Sequence, residues 1–126
     1  MTPPTMRLAT TVVGSADPRA LADFYQRLLG WDRISDEPFW VRLAPSSGGT
    51  GLSFQHEPDF VRPVWPPKPG EPQMTMHLDI DVDDVDASVV WALEVGAVLA
   101  EHQPEDGVHV MLDPAGHPFC IFSRSP

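Results

Sequence analysis

Apolar and polar positions alternate most clearly along residues 74–86, MTMHLDIDVDDVD. Met76, Leu78, Ile80 and Val82 are apolar at every second position, with His77, Asp79 and Asp81 between them. A period of two marks a strand with one face on a core. A histidine and two carboxylates on the other face suit a strand that lines a polar pocket. Earlier in the chain, residues 7–15 (RLATTVVGS) are rich in β-branched side chains and predict a first strand. Asp17-Pro18 then predicts a helix start, with Asp as N-cap and Pro in the first turn. Leu21, Phe24, Tyr25, Leu28 and Leu29 form an amphipathic stripe, and Gly30 ends it. Residues 31–35, 39–44 and 51–55 are three short strand candidates separated by turn residues.

The second half repeats this order. After a strand over 74–82, Asp84 is expected to cap a helix that carries Val85, Val89, Ala92 and Leu93 on one face, closed by Gly96. Residues 97–101, 108–112 and 118–122 predict three more strands, and Asp113-Pro114-Ala115-Gly116 a type I turn before the last of them. Thr10 and His77, Asp17 and Asp84, Gly49 and Gly116, and Phe54 and Ile121 are all separated by the same spacing. One offset shared by four landmarks indicates an internal duplication. A first module over 7–55 and a second over 74–122 make one domain spanning 1–126. Residues 56–73 between them (HEPDFVRPVWPPKPGEPQ) are too rich in proline for a helix or an interior strand. They read as a stiff connector whose Phe60 and Trp65 could fold over a pocket mouth.

Composition narrows the function classes. The 126 residues suffice for one domain with a sizeable core, and 42% are apolar, as in soluble globular proteins. A formal net charge of −10 argues against nucleic acid and anionic membranes as partners, and is compatible with a cationic ligand. No window is apolar for long enough to span a bilayer, and the N-terminal residues carry no signal-peptide pattern. The single cysteine, Cys120, excludes an internal disulfide and fits a reducing cytoplasm, the expected localisation.

The tandem βαβββ order, with DPRALADFYQRLLGW in the first helix, HLDIDVDDVDA and LEVGA in the second module, and DPAGHPFCIF at the end, resembles the vicinal oxygen chelate superfamily. This is the glyoxalase, bleomycin-resistance and extradiol dioxygenase group, and the narrower likeness is to its glyoxalase-like branch, widespread in bacteria. The resemblance implies an α+β fold whose two modules curl into a cup-shaped, eight-stranded mixed sheet with helices outside. It implies metal ligands on the first and last strand of each module, which by register are Thr10, Ser53, His77 and Cys120. Metalloenzymes of the family carry His or Gln, Glu, His and Glu there; only His77 matches. Two strong ligands, His77 and Cys120, fall short of the three of catalytic zinc sites. Asp79, His109 and His117 are further candidates, but none stands where the family's carboxylate does. No cofactor is therefore expected, a divalent metal being the minority alternative.

Strand parity places Val12, Gly14, Trp40, Arg42, His77, Asp79, His109, Met111, Cys120 and Phe122 on the inner faces. Trp40 and Phe122 could equally be ordinary packing, Cys120 a small buried hydrophobe, and His77–Asp79 a structural pair. A buried Asp79 would need a partner such as Arg42, a hydroxyl or a ligand. The expected function is metal-independent binding of a small molecule, with sequestration of a drug as one form of it. The ligand-binding set is His77, Asp79, Trp40, Arg42, Met111, Cys120, Phe122 and Trp65, and the ligand an aromatic cation. An enzyme of lyase or isomerase type, with His77 and Asp79 as catalytic candidates with or without metal, is the first alternative. A module that kept the fold without the chemistry is the second. A homodimer with Trp65 or Phe60 near the interface or cup mouth is also expected.

Overall fold

The computed structural model describes residues 2–124, and the chain divides after Pro58 into two compact units. In the first, β1 (Thr10–Ser15) leads into α1 (Pro18–Leu29), then β2 (Asp32–Glu37), β3 (Trp40–Ala44) and β4 (Gly51–His56). The second has β5 (Leu78–Asp81), α2 (Val85–Glu94), β6 (Val98–Leu99), β7 (His109–Leu112) and β8 (Pro118–Phe122). All eight strands and both helices expected from the duplication are present, in an α+β arrangement of two four-stranded mixed sheets. The strand orders are β1-β4-β3-β2 and β5-β8-β7-β6, each with one parallel pair between its first and last strand.

The helix starts follow from their caps. The Asp17 carboxylate accepts a hydrogen bond from the Ala20 amide at 3.1 Å, and Asp84 accepts from Ala87 at 3.0 Å. Each satisfies an amide that the first helical turn leaves without a partner. Gly30 ends α1 in the left-handed conformation, at φ +69°. Leu21, Phe24 and Tyr25 press α1 onto Val41, Leu43, Leu52 and Phe54, all of them buried. Tyr25 stacks on Phe54 with ring centroids 5.6 Å apart. Burial of each such side chain contributes about 1.5–3 kcal/mol, which is what holds the sheet to its helix.

In the second unit Ala92, Val95, Met111, Phe119 and Ile121 form the buried centre. Three expectations need correction here. The strand predicted over 74–82 shrinks to Leu78–Asp81, and Met76, expected on the core, is 79% exposed. Leu93 lies outside the buried face of α2; Val95 at the C-cap is buried in its place. The third correction concerns β7. Cross-strand partners share a sheet face, and Met111 stands opposite Phe119 while His109 stands opposite Ile121. Both therefore lie on the core face, not with Cys120 and Phe122. The cause is a difference in loop length: residues 45–50 join β3 to β4, whereas the shorter 113–117 joins β7 to β8. The repeat offset thus holds for β8 but not for β7, and a slip of a single position turns every side chain over.

The proline-rich segment packs within the second unit. The Val64 amide donates to Pro72 O at 2.9 Å, and the Trp65 indole N–H to His102 O at 3.0 Å. The Arg62 guanidinium donates to Pro114 O at 3.2 Å, and Phe60 lies against the His117 ring at 5.3 Å.

Candidate functional site

In the first unit, pairing register puts Val12, Ser53, Arg42 and Ser35 side by side across four strands on the face away from α1. Gly14, Gln55, Trp40 and Glu37 make the next row. Trp40 and Arg42 thus occupy the expected face because Val41 and Leu43 are turned into the core. Thr10 joins them: its hydroxyl lies 2.7 Å from the Ser53 hydroxyl. Trp40 and Arg42 are half-buried, and Ser53 is fully buried.

In the second unit the corresponding face carries Asp79, Cys120 and Val110 in one row and Asp81 with Phe122 in the next. His77, just before β5, reaches Asp79 with its Nε2 3.0 Å from a carboxylate oxygen. The ligand atoms of His77, Asp79 and Cys120 all lie within 4.8 Å of one another. Burial raises the pKa of the Cys120 thiol, and the adjacent Asp79 carboxylate, which accepts a hydrogen bond from it, raises it further. A thiolate beside a carboxylate is disfavoured, so this sulfur stays protonated at neutral pH and is a poor nucleophile. Asp79, expected to be buried, keeps 58% of its side chain exposed and has His77 as its partner. Asp81 accepts the Arg124 amide at 3.0 Å, and the Arg124 guanidinium lies 6.0 Å from the centre of the Phe122 ring.

Of the other sequence candidates, Met111 is fully buried under the core face. Trp65 is held by His102, and His117 by Phe60. His109 has a buried Nδ1 without a hydrogen bond. Sequence reasoning gave no positioning role to two residues that fix the backbone of the second unit. Asp113, 1% exposed, accepts from the Ala115 amide at 2.9 Å and the His117 amide at 3.0 Å, which fixes the turn into β8 and hence Cys120. Asp at the first position of a DPxG turn was the available signal. Gln103 accepts from Val110 N and donates to Val110 O and Ala100 O, each at 2.8 Å, continuing the pairing where β6 stops. No sequence pattern marks it.

The four positions that the resemblance implies as metal ligands are Thr10, Ser53, His77 and Cys120. In the first unit they are two hydroxyls bonded to each other, with no carboxylate. In the second, a protonated thiol stands where Glu is expected. Among the described residues, His77, Asp79 and Cys120 form a group that could approach a cation.

The profile of the glyoxalase-like domain family matches residues 10–122. The chain belongs to this family, and with it to the vicinal oxygen chelate superfamily. None of the curated proteins matches it significantly. Among solved structures, this glyoxalase-like chain is similar to a glyoxalase/bleomycin resistance protein/dioxygenase family enzyme from Burkholderia phytofirmans PsJN. The TM-score is 0.71 at 21% identity, covering 92% of this chain and 97% of that one. TnmS3, an antibiotic binding protein from Streptomyces sp. CB03234, gives 0.63 at 23% identity over 96% and 98%. A bleomycin resistance determinant encoded on transposon Tn5 gives 0.60 at 18% identity over 96% and 100%. Likeness at these identities concerns the fold. No helix among the described residues is long and apolar enough to cross a membrane.

Proposed function

We propose that this glyoxalase-like protein binds a small aromatic molecule without a metal, as a cytoplasmic recognition or sequestration protein. The observation that carries the reading is the Thr10–Ser53 hydroxyl pair, 2.7 Å apart, at two positions where the family resemblance implies His or Gln and Glu in a metalloenzyme. Each hydroxyl already has its hydrogen-bond partner, and neither supplies the charge or imidazole that a divalent ion draws on. Each unit offers a ring for stacking on its own sheet face, Trp40 in the first and Phe122 in the second, worth about 0.5–1.5 kcal/mol per pair beyond area burial. Asp79 offers an acceptor to a protonated nitrogen of the ligand, in exchange for His77. Solved relatives of the fold include a protein described as antibiotic binding, which supports the reading.

A second reading, an enzyme that uses His77 with a divalent ion, is favoured by the closeness of His77, Asp79 and Cys120. Elemental analysis of protein purified without added metal separates the two. The binding reading expects well under one equivalent of zinc, nickel, iron or manganese. Near-stoichiometric metal that disappears in His77→Ala overturns it.

A further inference from the structure

The first unit carries a cation with nothing to neutralise it. The chain has 8 Lys and Arg against 18 Asp and Glu, so a carboxylate is seldom far from any cation. Arg19 pairs with Asp36, and Arg33 with Asp23 and Asp36. Arg62 bonds a carbonyl, while Arg7, Arg27 and Lys68 stand in solvent. Among the described residues, Arg42 is the half-buried Arg or Lys that has neither ion pair nor hydrogen bond. Its cross-strand neighbours are serines on both sides, Ser35 on β2 and Ser53 on β4. Two acids lie on the same face, Glu37 opposite Trp40 and Glu57 beside Gly14 and held by Gln55, and neither makes an ion pair with Arg42. Withdrawing a guanidinium from water without a partner is unfavourable, and a planar anion is the partner that its fork of donors fits best.

Trp40 is two residues away on the same strand and face, about 6.7 Å along β3. A flat ring on that indole would hold a carboxylate attached to it within reach of Arg42. The Ser35 hydroxyl beside it can donate to the same oxygens. We propose that Arg42, Trp40 and the Ser35 hydroxyl form a subsite for the carboxylate of a small aromatic acid. This rests on the small-molecule-binding reading and names a ligand group for it. It concerns the first unit alone and a different charge from the one Asp79 would meet.

The test uses three ligands of one shape: 2-naphthoate, 2-naphthamide and 2-naphthamidine. Affinities are measured by calorimetry, and the Trp40 indole N–H is followed by nitrogen–proton correlation spectra, assigned with Trp40→Phe. The subsite predicts that naphthoate shifts that signal saturably. Arg42→Gln should weaken naphthoate at least tenfold, with a smaller loss in Arg42→Lys. Naphthamide should bind Arg42→Gln and wild type alike, and naphthamidine should bind Arg42→Gln at least as tightly as wild type. Because Arg42 has no hydrogen bond or ion pair to lose, melting curves of the variants should match wild type. Naphthoate binding that is indifferent to Arg42→Gln, or naphthoate that fails to bind while either other ligand binds, overturns the subsite and leaves the binding reading standing. If none of the three binds at millimolar concentration, both fall.

Discussion

Thr10 and Ser53 share a hydrogen bond across the parallel β1–β4 pair, and one repeat further on His77 and Cys120 take the same two places in the second unit. The duplicated frame thus presents two chemically different sets. One is a pair of neutral hydroxyls. The other is an imidazole, a thiol and, from the next position on the strand face, the carboxylate of Asp79.

The first prediction concerns the turn that positions Cys120. Asp113 is buried and accepts two backbone amides. Asp113→Ala leaves both amides without their acceptor and should cost about 2–3 kcal/mol. At roughly 4 °C per kcal/mol for a chain of this size, the melting temperature should fall by about 8–12 °C. Both amides bond the same oxygen, Oδ1, which Asn retains, so Asp113→Asn should lose less than half as much. A melting curve for Asp113→Ala that matches wild type would show that the turn holds without it.

The same turn tests backbone conformation against space. Gly116 has φ +89°, and a Cβ there would run into the Arg62 side chain. Gly116→Ala should therefore destabilise by more than the roughly 1 kcal/mol of an unfavourable φ alone. Adding Arg62→Ala should recover the steric part and leave the conformational part. Chemical denaturation of the two variants checks this; no recovery would mean that Arg62 can step aside.

Cys120 gives a pH signature with a definite sign. Its folded pKa is raised above the ordinary 9.0, first by burial and then by Asp79. Folding therefore favours the neutral thiol. That stabilisation is fully present below the unfolded-state pKa and is lost as pH rises through the folded one. Wild type should lose stability relative to Cys120→Ser above about pH 9. At pH 8 alkylation by iodoacetamide should be slow, and Asp79→Asn should speed it several-fold. Alkylation in wild type at the rate of a free thiol would contradict the assigned cause.

Assembly is the fourth prediction. Val90 and Trp91 on α2 are 65% and 47% exposed. One repeat earlier Val90 corresponds to Asp23, which is charged, and Trp91 to Phe24, which is buried against the sheet. Light scattering at micromolar concentration should give twice the mass of one chain, as a homodimer. Trp91→Glu should then shift the particle toward a single chain, whereas a single-chain mass for wild type would reject pairing.

Much of this was legible in the sequence, for physical reasons that can be named. Caps and glycines are local, so Asp17, Asp84 and Gly30 marked the helix ends without reference to the rest of the fold. The alternation around Val41 and Leu43 placed Trp40 and Arg42, since both apolar partners are fully buried. The site was less legible where it depends on loop length. A slightly shorter turn put Met111 and His109 on the core face, although the duplication implied the opposite. Met76 kept its place in the alternation, but the backbone there has no neighbouring strand, so a period of two meant nothing. His77 was legible as a partner of Asp79, two residues away on one strand face, but Cys120 was hidden, because it comes close only once β5 pairs with β8 in register.

The central claim, small-molecule binding without metal, is tested most directly by ligand-induced thermal stabilisation with and without EDTA. At a hundredfold excess over its dissociation constant, an aromatic ligand should stabilise the fold by about 2.7 kcal/mol. That corresponds to a rise of about 10 °C. The account predicts the same rise in both samples. A rise that vanishes with EDTA and returns with added zinc or nickel would contradict it.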